Sequence, residues 1–218
     1  MSGESCHDSH CSHSAAEHQR AHESLFPLLD VPNVRALNAA DVSLVRRVLV
    51  EHEQRFQTAV VARSEANNDD DDDDDDESVA LIVRVPFTAC VKLKSFTVAA
   101  LTSDSSPRRV RLFLNRDDID FGNWRDETAT EEFDLVSDAS VQPDVEYAVK
   151  AARWQRVESV TMAFSRGVDA QLALTYVGFR GEFEQRIVRQ AVIAVYESAA
   201  QLHDHAVPSA GERAREQM

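Results

Sequence analysis

The feature that most restricts the fold is a period-two alternation of apolar and polar side chains that begins at Val79. Such alternation is typical of half-buried β-strands, whose successive side chains point to opposite faces of a sheet. It predicts strands over Val79–Val85, Cys90–Leu101, Arg109–Leu114, Glu132–Val136, Val157–Phe164, Gln171–Phe179 and Ile187–Tyr196. No convincing helix lies between these strands, and parallel strands need such crossovers. The sequence therefore predicts an all-β domain, an antiparallel β-sandwich or jelly roll.

Proline and glycine positions indicate where these strands end or bend. Pro86 should end the first strand, because proline has no N–H to donate to a central ladder. Gly178 and Gly181 predict a bulge or a close backbone approach in a later strand. The polar segment Asn115–Thr130 is predicted to be a long loop between two strands.

The chain before Val79 is less regular than the chain after it. Residues 1–24 are rich in His, Ser and Ala and are predicted to be a disordered tail, with order beginning near Leu25. Pro32 is suited to open a short helical turn that holds Val34 and Leu37. Residues 39–49 fit either a helical face or, toward their end, a strand. The predicted domain therefore spans 25–207, and 208–218 form a second tail.

The acidity of the chain is concentrated in one segment. Asp69–Asp76 and Glu77 supply nine of the 38 acidic residues, and the net charge is −15. We interpret this run as a self-repelling surface loop; a lure for a basic protein surface and a weak calcium site are the alternatives. Nucleic acid is not an expected partner, because the pairs Arg46–Arg47 and Arg108–Arg109 are too small to form a basic patch.

The three cysteines have two different surroundings. Cys90 lies in an apolar strand and is predicted to be a small buried side chain. The others belong to a local cluster in the N-terminal tail whose residue types can bind zinc: Cys6, His7, His10, Cys11 and His13. Because the cluster has no apolar residues to pack around a metal, we regard it as a weak candidate and expect no metal or other cofactor.

Several classes of protein are excluded by what the sequence lacks. No apolar stretch is long enough to span a membrane, and the N-terminus has no secretory signal, so we expect an intracellular protein without a membrane partner. Gly-rich phosphate loops, nucleophile elbows and metalloprotease motifs are missing. His203-Asp204-His205 is more simply read as part of an exposed terminus than as a catalytic group. We therefore expect that the chain is not an enzyme.

Four segments, in order, resemble the PITH domain, a proteasome-interacting module found at the C-terminus of thioredoxin-like proteins and alone in small proteins. They are Val85–Lys94, Arg111–Asn115, Tyr176–Phe183 and Tyr196–Ala200 with Asp204-His205. The resemblance implies a galactose-binding-like jelly roll, here of the stand-alone type. It also implies association with the 26S proteasome, in the cytoplasm and in the nucleus, and it supplies no catalytic residues.

Two groups of side chains are candidates for partner binding. Arg180, Glu182 and Phe183 can form a docking edge on the strand that carries the third PITH-like segment. Phe121 and Trp124 lie in the long polar loop, where an exposed aromatic ring is a natural anchor for a partner and core covering is the alternative. Two other functions stay open, a small-ligand or glycan-binding module and a metal-binding protein that uses the N-terminal cluster.

Deletion of Asp69–Asp76 is expected to leave stability almost unchanged, because a flexible loop contributes little folding energy. The measurement is the free energy of unfolding of the deletion variant against the full chain. A loss of more than about 2 kcal/mol would show that the run is part of the packed structure.

Overall fold

The computed structural model describes residues 23–65, 79–165, 168–169 and 171–186. The strands within these ranges are β1 (Glu23–Ser24), β2 (Arg35–Leu37), β3 (Ala62–Arg63), β4 (Val79–Ala100), β5 (Arg109–Leu114), β6 (Glu131–Asp134), β7 (Tyr147–Ala148), β8 (Val157–Ser165) and β9 (Ala173–Arg186). Helix α1 (Val42–Arg47) is short, and 3-10 turns occupy Phe26–Leu28, Val31–Asn33, His52–Gln54 and Gln142–Asp144. All the strand pairs that these ranges contain are antiparallel, which confirms the predicted all-β class.

Strand β4 is 22 residues long and organises the sheet, whose main order is β1-β9-β4-β8-β5-β6. Its first half pairs with β8 and, on the other side, with β2. Its second half pairs with β9 and, on the other side, with β7. Register shifts along both long pairings let the strand bend, as β-bulges do. One continuous strand therefore serves two differently flanked parts of the sheet.

The prediction that Pro86 ends the first strand was wrong, because β4 runs through it. Pro86 lies opposite Ser159, and the next pair in this ladder is Val91 with Val157, so the regular pairing is interrupted directly after the proline. The Pro86 carbonyl meanwhile accepts a hydrogen bond from Asp30 N at 2.9 Å. The missing N–H thus coincides with an irregularity in the ladder and costs the strand little.

Most other predicted strands are present with small shifts of their ends. Arg109–Leu114 has the predicted bounds, whereas the strand predicted over Gln171–Phe179 continues to Arg186. The ambiguous residues 39–49 contain α1, whose N-cap Asp41 accepts a hydrogen bond from Ser43 N at 2.7 Å. Pro32 lies in a 3-10 turn as predicted, but Leu37 belongs to β2. The strand predicted over Ile187–Tyr196, the acidic run and both predicted tails lie outside the described residues, except for the last two residues of the N-terminal one.

Two groups of buried apolar side chains pack on the strands. The larger core contains Trp154, Phe96 and Leu93, and Phe96 contacts the rings of Phe133 and Tyr147 at centroid distances of 5.1 Å. The smaller cluster comprises Val79, Ile82, Phe113, Ile119, Trp124 and Ala163. Cys90 is buried, as predicted.

Gly178 and Gly181 of β9 allow close approaches, as the sequence predicted. A Cβ atom at Gly181 would collide with the carbonyl oxygen of Lys92 on the paired strand β4. A Cβ atom at Gly178 would collide with the hydroxyl group of Tyr176, a buried side chain of the same strand. At both positions the absent side chain is a condition for packing, and neither glycine has a positive φ.

Gly181→Ala is expected to lower the free energy of unfolding by about 1–3 kcal/mol, because the obstacle is backbone and cannot swing away. Gly122→Ala is the matched control. Its added Cβ would lie 3.3 Å from Asp120 Oδ1 in an exposed turn, so a change within about 0.5 kcal/mol is expected. Urea unfolding measures both, and equal losses in the two variants would contradict this account.

Candidate functional site

A long loop crosses the outer side of the sheet formed by β2, the first half of β4, β8 and β5. We call this side, together with loop Asn115–Thr130, the loop face. Two rows of cross-strand neighbours form its floor: Arg35, Arg84, Thr161 and Phe113 in one, and Leu37, Ile82, Ala163 and Arg111 in the other. Side chains directly opposite in a sheet point the same way, so these rows face the loop together.

The loop is fixed to this floor by apolar packing and by its own hydrogen bonds. Ile119 and Trp124 are buried against the floor, with exposed fractions of 4% and 7%. Asp120 Oδ1 accepts hydrogen bonds from the backbone N–H groups of Gly122 and Asn123 at 2.8 and 3.0 Å. These contacts give a polar segment a defined conformation, so the side chains that it presents outward are held in place.

Arg111 connects the floor to the loop. Its guanidinium donates to the carbonyl oxygens of Trp124 at 2.5 Å and Glu127 at 3.1 Å and lies 5.5 Å from the centroid of the Trp124 ring. Its Nε lies 2.5 Å from Glu132 Oε1, an ion pair without the alignment of a hydrogen bond. The guanidinium of Arg125 is also near the Trp124 ring, at 5.2 Å. The guanidinium groups of Arg111 and Arg125 thus lie near the Trp124 ring, and this buried side chain leaves little surface for a partner to contact.

Phe121, the other aromatic residue of the loop, has a different environment. Its side chain is 42% exposed and lines an open groove of about 440 Å³ together with Leu37, Asn38 and Glu65. Leu37 is also 42% exposed. Two large apolar side chains at a groove on a rigid sheet are the kind of feature that proteins use for binding.

A smaller pocket of about 130 Å³ adjoins the groove through Leu37, which lines both. Its polar lining consists of Arg35, Arg84, Asp117 and Thr161, and its apolar lining of Leu37, Ile82 and Ile119. Arg35 is exposed and Arg84 is half-buried. The loop face therefore places guanidinium groups directly beside exposed apolar side chains.

The other predicted group lies on β9, which pairs with the second half of β4. Arg180 Nη1 is 3.4 Å from Glu146 Oε2, and Glu182 Oε1 is 2.5 Å from Lys94 Nζ. Phe183 is 56% exposed. The structure therefore places the five predicted residues in two groups on different elements, and both charged members of the β9 group already have ion-pair partners.

A small group of titratable side chains surrounds Arg180. His52 Nδ1 is buried without a hydrogen-bond partner, and burial together with Arg55 and Arg180 lowers the pKa of His52. Burial raises the pKa of Tyr176 to about 12. Both groups are therefore uncharged near neutral pH, and they contribute packing rather than charge.

No metal centre is found in the part of the chain that the structure describes, where no three His, Cys, Asp or Glu side chains are arranged to hold an ion. The predicted cluster Cys6, His7, His10, Cys11 and His13 lies outside the described residues and stays a weak candidate. None of the helices within the described ranges is long and apolar enough to cross a membrane.

Sequence reasoning missed Arg35, Leu37 and Arg84. One signal was available for Arg84, since an arginine inside the apolar run Val79–Val85 needs a reason to be there. Strand β2 has only three residues, so its alternation was too short to reveal that Arg35 and Leu37 share a face. Their approach to Phe121 depends on tertiary structure.

Comparisons with known proteins agree with the motifs of the sequence. The family model for the PITH domain matches residues 15–200. PITH domain-containing protein 1 of Danio rerio is 30% identical over 201 residues, which cover 90% of this chain and 87% of that one. PITH domain-containing protein CG6153 of Drosophila melanogaster is 28% identical over 201 residues, 89% of each chain.

Solved structures resemble the fold. The CBM32-1 and CBM32-2 domains of Clostridium perfringens ZmpB, in complex with GalNAc, match with a TM-score of 0.53 at 9% identity. The match covers 79% of this chain and 39% of that one. A second structure of the CBM32-1 and CBM32-2 domains of ZmpB gives a TM-score of 0.51, also at 9% identity. These likenesses confirm the predicted galactose-binding-like jelly roll, and at this identity they show the fold alone.

Acidification is expected to destabilise the fold through His52. Burial, Arg55 and Arg180 lower its pKa, against the opposing effects of Glu53 and Glu146. The unfolded chain then takes up a proton near pH 6.5 before the folded chain does, so stability falls as the pH drops below about 6.5. Urea midpoints measured from roughly pH 8 to 5.5 should decline less in His52→Gln than in the unmodified chain. An equally steep decline would exclude His52 as the source.

Proposed function

The chain belongs to the PITH domain family, and we propose that it is a non-catalytic protein-interaction module whose partner is the 26S proteasome. The family membership and the jelly-roll fold support a binding module, and the resemblance to the PITH domain supplies the choice of partner. We also propose that it acts in the cytoplasm and in the nucleus, as that resemblance implies. Within the molecule, we propose that the loop face is the surface that docks.

The observation that carries this proposal is the exposure of Leu37 and Phe121 at one groove. Protein interfaces obtain most of their binding energy from a few aromatic, arginine and apolar anchors near their centre. Here two such apolar side chains stand beside the guanidinium groups of Arg35 and Arg84. The surroundings are polar, as expected for the rim of an interface.

The loop face is also rigid enough to bind without a large entropic penalty. Arg111 holds the loop through two carbonyl oxygens, and Trp124 is buried beneath it. Surfaces that are ordered before binding lose less conformational freedom when they bind. In this proposal Trp124 supports the surface and Phe121 makes the contact.

The β9 group is less suited to this role. Arg180 and Glu182 are each in an ion pair with a neighbouring strand or segment, so docking there would have to replace existing pairs. Phe183 is exposed, but the charged groups beside it are engaged. We therefore assign the main contact to the loop face and treat Phe183 as the comparison position.

The chemistry of the loop face favours binding over catalysis. Guanidinium and apolar side chains suit binding rather than proton transfer, and the two carboxylates on this face, Glu65 and Asp117, line separate spaces. Glycan binding is the competing function, suggested by the fold of the ZmpB domains and their GalNAc complex. Because this suggestion rests on the fold alone, a simple sugar serves as the control ligand in the binding test.

Phe121→Ala is expected to weaken binding of the full chain to purified 26S proteasome about tenfold or more, since truncation of a central anchor costs more than about 1.4 kcal/mol. The matched variant Phe183→Ala should bind nearly as well as the unmodified chain. Both side chains are exposed, so melting temperatures should change little and serve as folding controls.

Two results would contradict the proposal. If the unmodified chain does not bind the proteasome at low salt, the partner is wrong. If Phe183→Ala loses binding while Phe121→Ala keeps it, the loop face is the wrong surface. Addition of GalNAc or galactose should not shift the melting temperature, and a saturable rise would favour the glycan-binding alternative.

A further inference from the structure

Two arginines on the loop face stand opposite each other without an ion pair. Arg35 on β2 and Arg84 on β4 are direct cross-strand neighbours, and like charges in that position repel. In the described part of the chain, neither side chain has a hydrogen bond or an ion pair. The Nε of Arg84 is buried and has no partner, a condition that costs free energy.

The neighbouring arginines are in a different situation. Arg109 Nε lies 3.0 Å from Asp134, Arg111 Nε lies 2.5 Å from Glu132, and Arg116 Nε lies 2.7 Å from Asp118. Each of these three arginines therefore has an ion pair with a carboxylate of the same chain. The Arg35–Arg84 pair is the place where a carboxylate from outside would complete the pattern.

We propose that Arg35 and Arg84 form a site for a peptide carboxylate, an Asp or Glu side chain of a partner protein that also places an apolar residue in the groove of Leu37 and Phe121. This inference rests on the proposed function and specifies the chemistry of the docking segment. A guanidinium binds a carboxylate through paired hydrogen bonds in a fixed geometry, and an Arg pair provides this twice.

The lining of the pocket selects a carboxylate over a phosphate. Asp117 contributes a negative charge to the same pocket, so two arginines and one aspartate leave a net charge of about +1. A carboxylate carries a single negative charge and balances that value, whereas a phosphate monoester carries nearly two. The pocket volume of about 130 Å³ also limits the ligand to one small polar group.

The groove beside the pocket defines the rest of the ligand. Leu37 lines both spaces, so a carboxylate held by Arg35 and Arg84 lies next to an apolar surface that continues to Phe121. Glu65 also lines the groove, and its negative charge repels further acidic residues there. The matching segment therefore combines an acidic residue with an adjacent apolar residue rather than a run of acids.

The test uses a fluorescein-labelled peptide of alternating Glu and Leu and a matched peptide of alternating Gln and Leu, with binding to the full chain measured by anisotropy at low salt. The Glu peptide should bind at least about tenfold more tightly than the Gln peptide. Arg35→Gln and Arg84→Gln should each reduce that preference about tenfold. Arg63→Gln, an exposed arginine on β3, is the control and should leave it unchanged.

The outcomes separate this inference from the function on which it rests. Equal binding of the two peptides overturns the carboxylate site, and so does unchanged binding in both Arg35→Gln and Arg84→Gln. Because Arg35 is exposed, the Arg35→Gln variant should fold even if Arg84→Gln does not. Arginine-dependent peptide binding by a chain that does not bind the proteasome overturns the proposed function alone. Displacement of the peptide by an equal concentration of inorganic phosphate contradicts the choice of carboxylate.

A last arm identifies the source of the carboxylate. Because the chain itself contains the acidic run Asp69–Asp76, the measurement is repeated with that run deleted. Tighter peptide binding that still depends on Arg35 supports a carboxylate site for which the run competes. Unchanged affinity with the same dependence supports a site reserved for a partner.

Discussion

The whole structure depends on the continuity of β4. This strand supplies backbone hydrogen bonds to β2, β7, β8 and β9, so both halves of the sheet are joined by one stretch of chain. The register shifts along this strand of 22 residues allow it to bend between its two differently paired halves. Gly181 adds a second condition, because only a glycine lets β9 approach the Lys92 carbonyl at the bend.

The same strand explains how a core and a binding surface coexist. Val83 and Val85 point into the main core, while Ile82 and Arg84 point to the loop face, as period-two alternation requires. A side chain of the loop face is therefore only one residue away from the core along the chain. Its position is fixed by packing on the opposite side of the sheet, in addition to the contacts with Ile119 and Trp124.

The strands could be predicted because their alternation is local, and Arg109–Leu114 shows this with its predicted bounds. The continuation through Pro86 could not, since it depends on where the partner ladder breaks. The motif residues Arg180 and Glu182 were recognised from the family pattern, whereas their ion pairs with Glu146 and Lys94 arise from tertiary structure. Phe121 and Trp124 were predicted together, but only packing distinguishes the exposed ring from the buried one.

Because the chain is acidic, two arginines without an ion pair are a more unusual feature than they would be in a basic protein. The chain has 38 acidic and 23 basic residues, so acidic side chains outnumber basic ones. Arg109, Arg111 and Arg116 are each in an ion pair, whereas Arg35 and Arg84 are held side by side without one. Repulsion between the two guanidinium groups raises the free energy of the folded chain, and a bound anion reduces that repulsion. Such a pair therefore gains more from a carboxylate ligand than a paired arginine would, which makes it a selective anchor on this surface.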